Sequence, residues 1–192
     1  MDLGTAVAGA WSSGISMYAV AAILGIGGRL DWVDSPEFLQ RPWVIVAALV
    51  LFGVEFVVDK VSYVDSTWDA VHTFIRPAAG AFLLADSDSA AGTIPLAISG
   101  GALALLAHGA KSATRLVVNA SPEPVSNVVV SFAEDGLVAA LMTLALTVPA
   151  VAFTIALVLA VLSALLIFFV VRSGRRLLAR RRQPPGAPRP DR

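Results

Sequence analysis

Apolar residues run through this chain in long stretches that are separated by short polar segments. Two stretches, residues 3–28 and 150–171, are apolar and free of charged side chains throughout. A helix needs roughly 20 apolar residues to cross the hydrocarbon core of a bilayer, which is about 30 Å thick. The pattern therefore predicts a membrane-spanning helix near each end of the chain.

Three further apolar segments lie between these two, and each is interrupted by one or two ionisable side chains. They are residues 42–58 with Glu55, residues 93–110 with His108, and residues 125–148 with Glu134 and Asp135. Each segment is long enough to span a bilayer. The pattern predicts three more crossings.

Residues 68–85 are harder to interpret, because Arg76 and Pro77 lie in the middle of the apolar stretch. Such a segment can cross the membrane, re-enter it, or lie in the interface. We favour a crossing and keep the other two readings as alternatives.

These segments predict an all-α membrane protein, a bundle of about six transmembrane helices. Six crossings divide into two sets of three, residues 3–85 and 93–171, and an odd number of crossings per set would invert one set relative to the other. Inverted three-helix repeats are a transporter architecture, so the sequence raises that possibility. The predicted domains are a transmembrane domain, 1–171, and a tail, 172–192.

Composition supports this class, since 57% of the residues are hydrophobic and 15% are charged, against about 25% charged in soluble domains. The net charge of zero hides a basic tail: residues 172–192 hold eight of the 14 basic and one of the 14 acidic side chains. Basic residues beside a span mark the cytoplasmic side. With six crossings, both termini are expected in the cytoplasm, and the protein is expected in the inner or plasma membrane. The Pro-rich tail is expected to be disordered.

Enzyme chemistry is not favoured by the sequence. The chain has no cysteine, which excludes disulfides and thiolate chemistry, and no His-Glu-x-x-His or nucleophile-elbow pattern occurs. We expect no cofactor and no nucleic-acid partner. The sequence leaves open whether carboxylates from several helices hold a metal.

Candidate functional residues form three polar stripes at helical spacing. Ionisable groups inside spans usually face a bundle interior or a wet cavity, because exposing them to lipid is costly. The candidate ion-binding residues are Glu55, Asp59, Glu134, Asp135, His108, Asn127 and Ser131, and the candidate charge partners are Lys60, Arg76, Lys111 and Arg115.

The depths of these residues agree across four helices. At 1.5 Å per residue, Glu55 lies about 18 Å and His108 about 22 Å from the outer ends of their segments. Glu134 and Arg76 lie about 14 Å and 12 Å from the cytoplasmic ends of theirs. The sequence thus predicts a charged level in the cytoplasmic half of the bundle.

Several separate motifs resemble one family. They are residues 14–19 (GISMYA), 55–60 (EFVVDK), 68–77 (WDAVHTFIRP), 121–127 (SPEPVSN) and 131–135 (SFAED). These motifs are similar to those of the uncharacterised bacterial membrane proteins grouped as domain-of-unknown-function family 4126, over about residues 4–150. The resemblance implies a multi-pass membrane protein and brings no established activity.

Two functional interpretations follow from the buried charges. The leading one is a small secondary transporter or permease, in which the carboxylates bind a cation or a proton and a solute moves with it. The alternative is a structural or accessory membrane protein, a scaffold for lipid or a partner, whose charges only join helices. The expected partners are the lipid bilayer and a small cation, proton or solute; a homo-oligomer is an open alternative.

Overall fold

The computed structural model describes residues 1–61, 64–118 and 124–181, and in this part of the chain every regular element is a helix. The predicted helical fold class is confirmed. The six helices are α1 (Leu3–Arg29), α2 (Pro42–Val58), α3 (Val64–Ala85), α4 (Thr93–Val118), α5 (Pro124–Thr147) and α6 (Pro149–Arg181).

Four of these helices, α1, α4, α5 and α6, are long and apolar enough to cross a membrane. Helix α2 is apolar but has 17 residues, which corresponds to about 25 Å of length. Helix α3 has 22 residues and carries Asp65, Asp69 and Arg76. These helices place the chain among membrane proteins.

Helix α1 is two half-helices that fold back on each other at Ser16, where the backbone leaves helical geometry (φ −145°, ψ 89°). Gly9 lies against Leu24 and Val20 of the same helix; a methyl group on Gly9 would be 3.7 Å from each side chain. In a straight helix Gly9 and Leu24 would be about 22 Å apart along the axis. The stretch at residues 3–28 therefore re-enters instead of spanning, which corrects the sequence prediction.

The hairpin returns the chain to the end at which it started. The Met1 amino nitrogen lies 3.1 Å from a carboxylate oxygen of Asp34, after α1, and 3.1 Å from one of Asp88, after α3. Burial alone would lower the pKa of this amine, but the hydrogen bonds to Asp88 and Asp34 outweigh it and raise the pKa above 8.0. We call this end of the bundle the N-terminal end.

The two ends of the described chain lie at opposite ends of the bundle. Helix α6 starts at Pro149, whose carbonyl packs directly against Gly4 at the N-terminal end, and its 33 residues extend about 50 Å away from it. Met1 and Arg181 therefore lie at opposite ends of the bundle, because α1 adds a return where a crossing was counted; the side of the membrane that each terminus faces stays a prediction.

Two other expectations change. The first half of the chain opens with a hairpin and the second half with the continuous helix α4, so the two halves follow different paths and the inverted repeat is not confirmed. Helix α6 continues to Arg181, ten residues beyond the predicted domain boundary at 171. The rest of the predicted tail, 182–192, lies outside the described residues.

The α1 hairpin occupies the centre of the bundle and packs on all five other helices. Small residues make this possible, since close backbone approach in a membrane requires Gly, Ala or Ser at the contact. Gly14 packs directly against the carbonyl of Ala104 in α4, and a methyl group on Gly80 would lie 2.5 Å from the carbonyl oxygen of Gly100. The core is thus fixed around the tip of the hairpin.

Candidate functional site

The tip of the α1 hairpin presents backbone carbonyls to two buried cations. The break at Ser16 removes helical partners from the preceding carbonyls. The carbonyl of Gly14 accepts a hydrogen bond from Arg76 Nη1, and that of Ile15 accepts one from Lys111 Nζ, both at 3.3 Å. Half-helix ends that bind charges inside a membrane are a feature of transporter sites.

Glu55 and Arg76 form an ion pair directly beside this tip. Arg76 Nη2 donates to Glu55 Oε1 at 2.8 Å, and the Ser16 hydroxyl donates to Glu55 Oε2 at 2.5 Å. The side chains of Glu55 and Arg76 are 1% and 0% exposed. We call this pair, with Ser16, the sealed end of the site.

His108 is an acceptor for the same guanidinium. Arg76 Nη1 donates to His108 Nδ1 at 2.7 Å, and His108 Nε2 lies 2.9 Å from the Thr73 hydroxyl. The Thr73 hydroxyl proton is directed to the carbonyl of Asp69 at 2.9 Å, so the hydroxyl oxygen accepts from Nε2. Because guanidinium has no acceptor atoms, this geometry holds His108 neutral with its proton on Nε2.

Lys111 stands between two carboxylates in the middle of the site. Its Nζ lies 2.6 Å from Asp59 Oδ2 and 3.9 Å from Asp69 Oδ1. Asp69 Oδ1 is also 3.0 Å from Arg76 Nη1. Lys111 therefore links the Glu55–Arg76 pair to the remainder of the site.

Arg115 contacts residues of three segments on the side of the site opposite Glu55. Its Nη2 donates to Glu134 Oε2 at 2.7 Å, and its Nη1 donates to Asn127 Oδ1 and, at 3.0 Å, to the carbonyl of Asp59. Asp65 and Asp59 each have a carboxylate oxygen 3.9 Å from the guanidinium. Glu134 is 13% exposed, and we call the Arg115–Glu134 pair the open end.

Lys60 forms a separate contact group. Its Nζ donates to Ser131 Oγ at 3.2 Å, lies 3.7 Å from Asp135 Oδ2, and sits 3.1 Å from the centre of the Phe56 ring. The Lys60 and Asp135 side chains are 17% and 16% exposed. This group borders the site. Among the described residues, no ion pair joins it to the other charged residues of the site.

The connected ion pairs of the site contain more acids than bases. Each member lies no more than 3.9 Å from an oppositely charged partner. We call these eight residues the charged layer: the acids Glu55, Asp59, Asp65, Asp69 and Glu134, and the bases Arg76, Lys111 and Arg115. As described, the layer has two more carboxylates than cations.

Several polar atoms of the layer lack a hydrogen-bond partner within the part of the chain that is described. They include Asp59 Oδ1, Arg76 Nε and Arg115 Nε, all buried. Buried polar atoms normally have partners. Asp59 Oδ1 thus keeps an unused acceptor position within the described residues.

Two cavities reach the layer from different sides of α4. One of about 240 Å³ is lined by Asp69, Thr73, Ser112 and Arg115. The other, of about 200 Å³, reaches Lys111 and Glu134 and is lined mainly by apolar residues of α1, α4 and α6. Neither cavity is lined by Glu55 or Arg76, which fits their complete burial.

An aromatic cluster covers the layer next to Arg76. His72 Nε2 is 2.9 Å from the Tyr18 hydroxyl, and His72 Nδ1 donates to the carbonyl of Trp68 at 2.8 Å. The Trp68 ring stacks on His72 with 4.5 Å between ring centres. This cluster fixes the start of α3 against the second half of α1.

The structure brings together most of the residues predicted from the sequence. All eleven belong to the layer, contact it or belong to the Lys60 group, which includes Asp135. The sequence analysis missed Ser16, Asp65, Asp69 and Thr73. Asp65, Asp69, His72 and Arg76 are spaced by four, three and four residues, which is one helix face, and that spacing was available in the sequence.

Within the described residues, no group of three or more histidine, aspartate and glutamate side chains is arranged to hold a metal ion. Each carboxylate of the layer instead faces a guanidinium or an ammonium group.

Fold and site together define an all-α membrane protein with a re-entrant hairpin and a buried, acid-rich layer of charges. The family model described as "Domain of unknown function (DUF4126)" matches residues 3–169. The chain belongs to this family, which confirms the resemblance of its motifs. The search of curated proteins and the search of solved structures each returned no match.

Proposed function

We propose that the protein is a small secondary transporter or permease, and that carboxylates of the charged layer bind a proton or a cation during transport. The observation that carries this proposal is the excess of acids over bases in the layer. Five carboxylates share three cationic side chains, while His108 is held neutral by Arg76.

An uncompensated charge in a buried site is strongly unfavourable. Two of the five carboxylates in the layer have no matching cationic side chain there. At least one carboxylate must therefore hold a proton or a cation when the layer is neutral. A group that binds a proton inside a membrane is suited to coupling.

A proton fits this arrangement better than a larger cation. The carboxylates are already contacted by guanidinium and ammonium groups, as at Asp59 with Lys111, and a proton needs no coordination shell. Asp59 Oδ1 and Glu134 are the best candidates, because the first lacks a hydrogen bond from a described residue and the second lines a cavity.

The re-entrant hairpin supports the same class of function. Discontinuous helices in transporters bring half-helix ends to the substrate or ion site near the middle of the membrane. Ser16 lies about 20 Å along its half-helix from Leu3, and its hydroxyl binds Glu55.

The first experiment measures protonation directly. Infrared spectra of the protein in liposomes at neutral pH should contain a C=O band of a protonated carboxyl group that shifts in deuterated water. Asp59→Asn or Glu134→Gln should remove it, and Glu37→Gln, in an exposed loop, should leave it. Elemental analysis of the same sample detects a bound metal cation. Absence of both the band and a bound cation would refute the proposal.

The second experiment measures transport. Liposomes with a trapped pH-sensitive dye should acidify under an imposed proton gradient when they contain the wild-type protein, and Glu134→Gln should slow this at least about tenfold, as expected for loss of a single proton-carrying group. Flux equal to that of Glu37→Gln would remove Glu134 from the mechanism.

We also propose that the protein lies in the cell membrane with the basic end of α6 in the cytoplasm and Met1 outside, since basic residues favour the cytoplasmic side. Because the chain has no cysteine, single cysteines can report this. A cysteine at Asp88 should react with a membrane-impermeant reagent in intact cells, and one at Gly186 should react only after lysis. The reverse pattern would overturn the orientation.

The alternative function is that of a structural or accessory membrane protein, and the sealed end favours it. The Glu55–Arg76 pair is complete and fully buried, as expected for charges that only join helices. This alternative predicts no protonated carboxyl band and no flux, together with strong destabilisation by every change in the layer.

A further inference from the structure

Helix α6 leaves the bundle at its basic end. Ile167 is packed near Gly109 of α4, where a methyl group would lie 3.0 Å from Ile167 Cδ1. The apolar part of α6, from Pro149 to Val171, is about 34 Å long at 1.5 Å per residue, close to the ~30 Å of hydrocarbon in a bilayer. Arg172 and the residues after it therefore reach the headgroup region.

This segment carries a concave surface of about 530 Å³ on one side of the helix. Phe168, Arg172 and Arg175 are spaced by four and three residues and so share a helix face. Ile167 and Val171 line the surface toward the hydrocarbon, and Arg176 lines it toward water. The Arg172 guanidinium carbon lies 5.8 Å from the centre of the Phe168 ring.

The three arginines of this surface have no acidic partner in the part of the chain that the structure describes. None of the ion pairs there involves Arg172, Arg175 or Arg176, and all three side chains are exposed. By contrast, each base of the charged layer contacts a carboxylate. Three adjacent guanidinium groups repel each other and are stabilised by an anion, and guanidinium binds phosphate oxygens in pairs.

We propose that this surface, lined by Phe168, Val171, Arg172, Arg175 and Arg176, is a binding site for one anionic phospholipid of the leaflet beside the basic end of α6. The guanidinium groups bind the headgroup phosphate, and an acyl chain packs along Ile167, Phe168 and Val171. The charge and the position at the edge of the apolar part of α6 both match such a lipid. The proposal does not depend on transport.

The test uses the full chain in detergent, titrated with phosphatidylglycerol or with zwitterionic phosphatidylcholine and analysed by native mass spectrometry. The site variant is Arg172→Gln, Arg175→Gln and Arg176→Gln together. The control variant is Arg182→Gln, Arg189→Gln and Arg192→Gln, which removes the same charge farther along the tail. Circular dichroism checks that both retain the wild-type helix content.

We expect wild type and the control variant to bind phosphatidylglycerol in preference to phosphatidylcholine, and the site variant to lose at least about tenfold in apparent affinity for phosphatidylglycerol. Replacing the same three arginines by lysine should restore part of the binding, because charge is kept while paired hydrogen bonds are lost. If the site variant does not keep its helix content, the apparent affinities of the lysine variant and the control variant for phosphatidylglycerol are compared instead.

Three outcomes would overturn the proposal. The first is no preference between the two lipids. The second is an equal loss in the site and control variants, which would indicate attraction by net charge alone. The third is complete displacement of phosphatidylglycerol by millimolar inorganic phosphate, which would assign the surface to a free anion.

Discussion

The sealed end and the open end of the charged layer use the same chemistry in different surroundings. At the sealed end, Arg76 and Glu55 are 0% and 1% exposed, and Ser16 occupies the second carboxylate oxygen. At the open end, Glu134 is 13% exposed and lines a cavity. Under the proposed function, this difference separates charges that hold helices together from a charge that exchanges its proton.

The partners of the two arginines differ in the same way. Arg76 has Glu55 Oε1 at 2.8 Å and Asp69 Oδ1 at 3.0 Å, and it is also held by a carbonyl and by neutral His108. Arg115 has Glu134 and Asn127 as partners and two more carboxylates at 3.9 Å. Both arginines keep a second carboxylate when the closest one is lost, but the closest carboxylate of Arg115 lines a cavity and that of Arg76 is fully buried.

The largest effect is expected from Glu55→Gln. The substitution removes the closest carboxylate of Arg76 at a fully buried position. Breaking such a buried pair costs about 3–5 kcal/mol. Thermal unfolding in detergent, followed by circular dichroism, should show a much lower midpoint than wild type. Glu37→Gln serves as the control, and equal midpoints for the two variants would contradict the sealed end as described.

Ser16→Ala should have the next largest effect. It removes a hydrogen bond to a charged carboxylate at the break in α1, which is worth about 1.5–3 kcal/mol. Ser13→Ala is the matched control, because the Ser13 hydroxyl donates to the carbonyl of Ala10 within its own half-helix. A loss no greater than that of the control would mean that the hairpin tip does not depend on Glu55.

Glu134→Gln should destabilise less than either change at the sealed end. We expect about 1–2 kcal/mol, between the values for surface and fully buried pairs, because the Glu134 side chain is 13% exposed whereas Glu55 is 1% exposed. The same unfolding assay gives the ranking. If Glu134→Gln proved as costly as Glu55→Gln, the two ends would be equivalent and the layer would be uniformly structural.

Asp135→Asn should have the smallest effect, at most about 1 kcal/mol. The 3.7 Å contact to Lys60 is partly exposed, and Lys60 keeps Ser131 and the Phe56 ring as partners. Denaturation at low salt should show this small difference from wild type, and high salt should reduce it, because salt screens a partly exposed ion pair. A loss comparable to that of Glu134→Gln would extend the open end to include Asp135.

The composition of the charged layer could largely be predicted from the sequence, because ionisable residues are rare inside apolar segments. Glu55, Arg76, His108 and Glu134 each stand out in such a segment, and helical rise alone placed them at one level. Which base faces which acid could not be predicted. That depends on helix rotation and packing, which the spacing of residues does not specify.

The hairpin in α1 was missed for a physical reason. Residues 3–28 are uncharged and contain no proline, so hydropathy is the same for one 26-residue span and for two half-helices side by side. What distinguishes them is the close fit of Gly9 on Val20 and Leu24, a contact between distant turns. Apolarity alone does not reveal Asp69 in residues 68–85, because it takes no account of the polar face of the helix.

The central position of α1 also has a consequence for how the protein is made. Residues 3–29 are synthesised before the other five helices, yet they pack against α5 and α6, which emerge after the other four. The Ser16 hydroxyl and the carbonyls of Gly14 and Ile15 have no layer partners until α2, α3 and α4 have been inserted. The hairpin therefore reaches its final form only after α5 and α6 have been made, and chains that stop before α5 leave it exposed to lipid or to the insertion machinery.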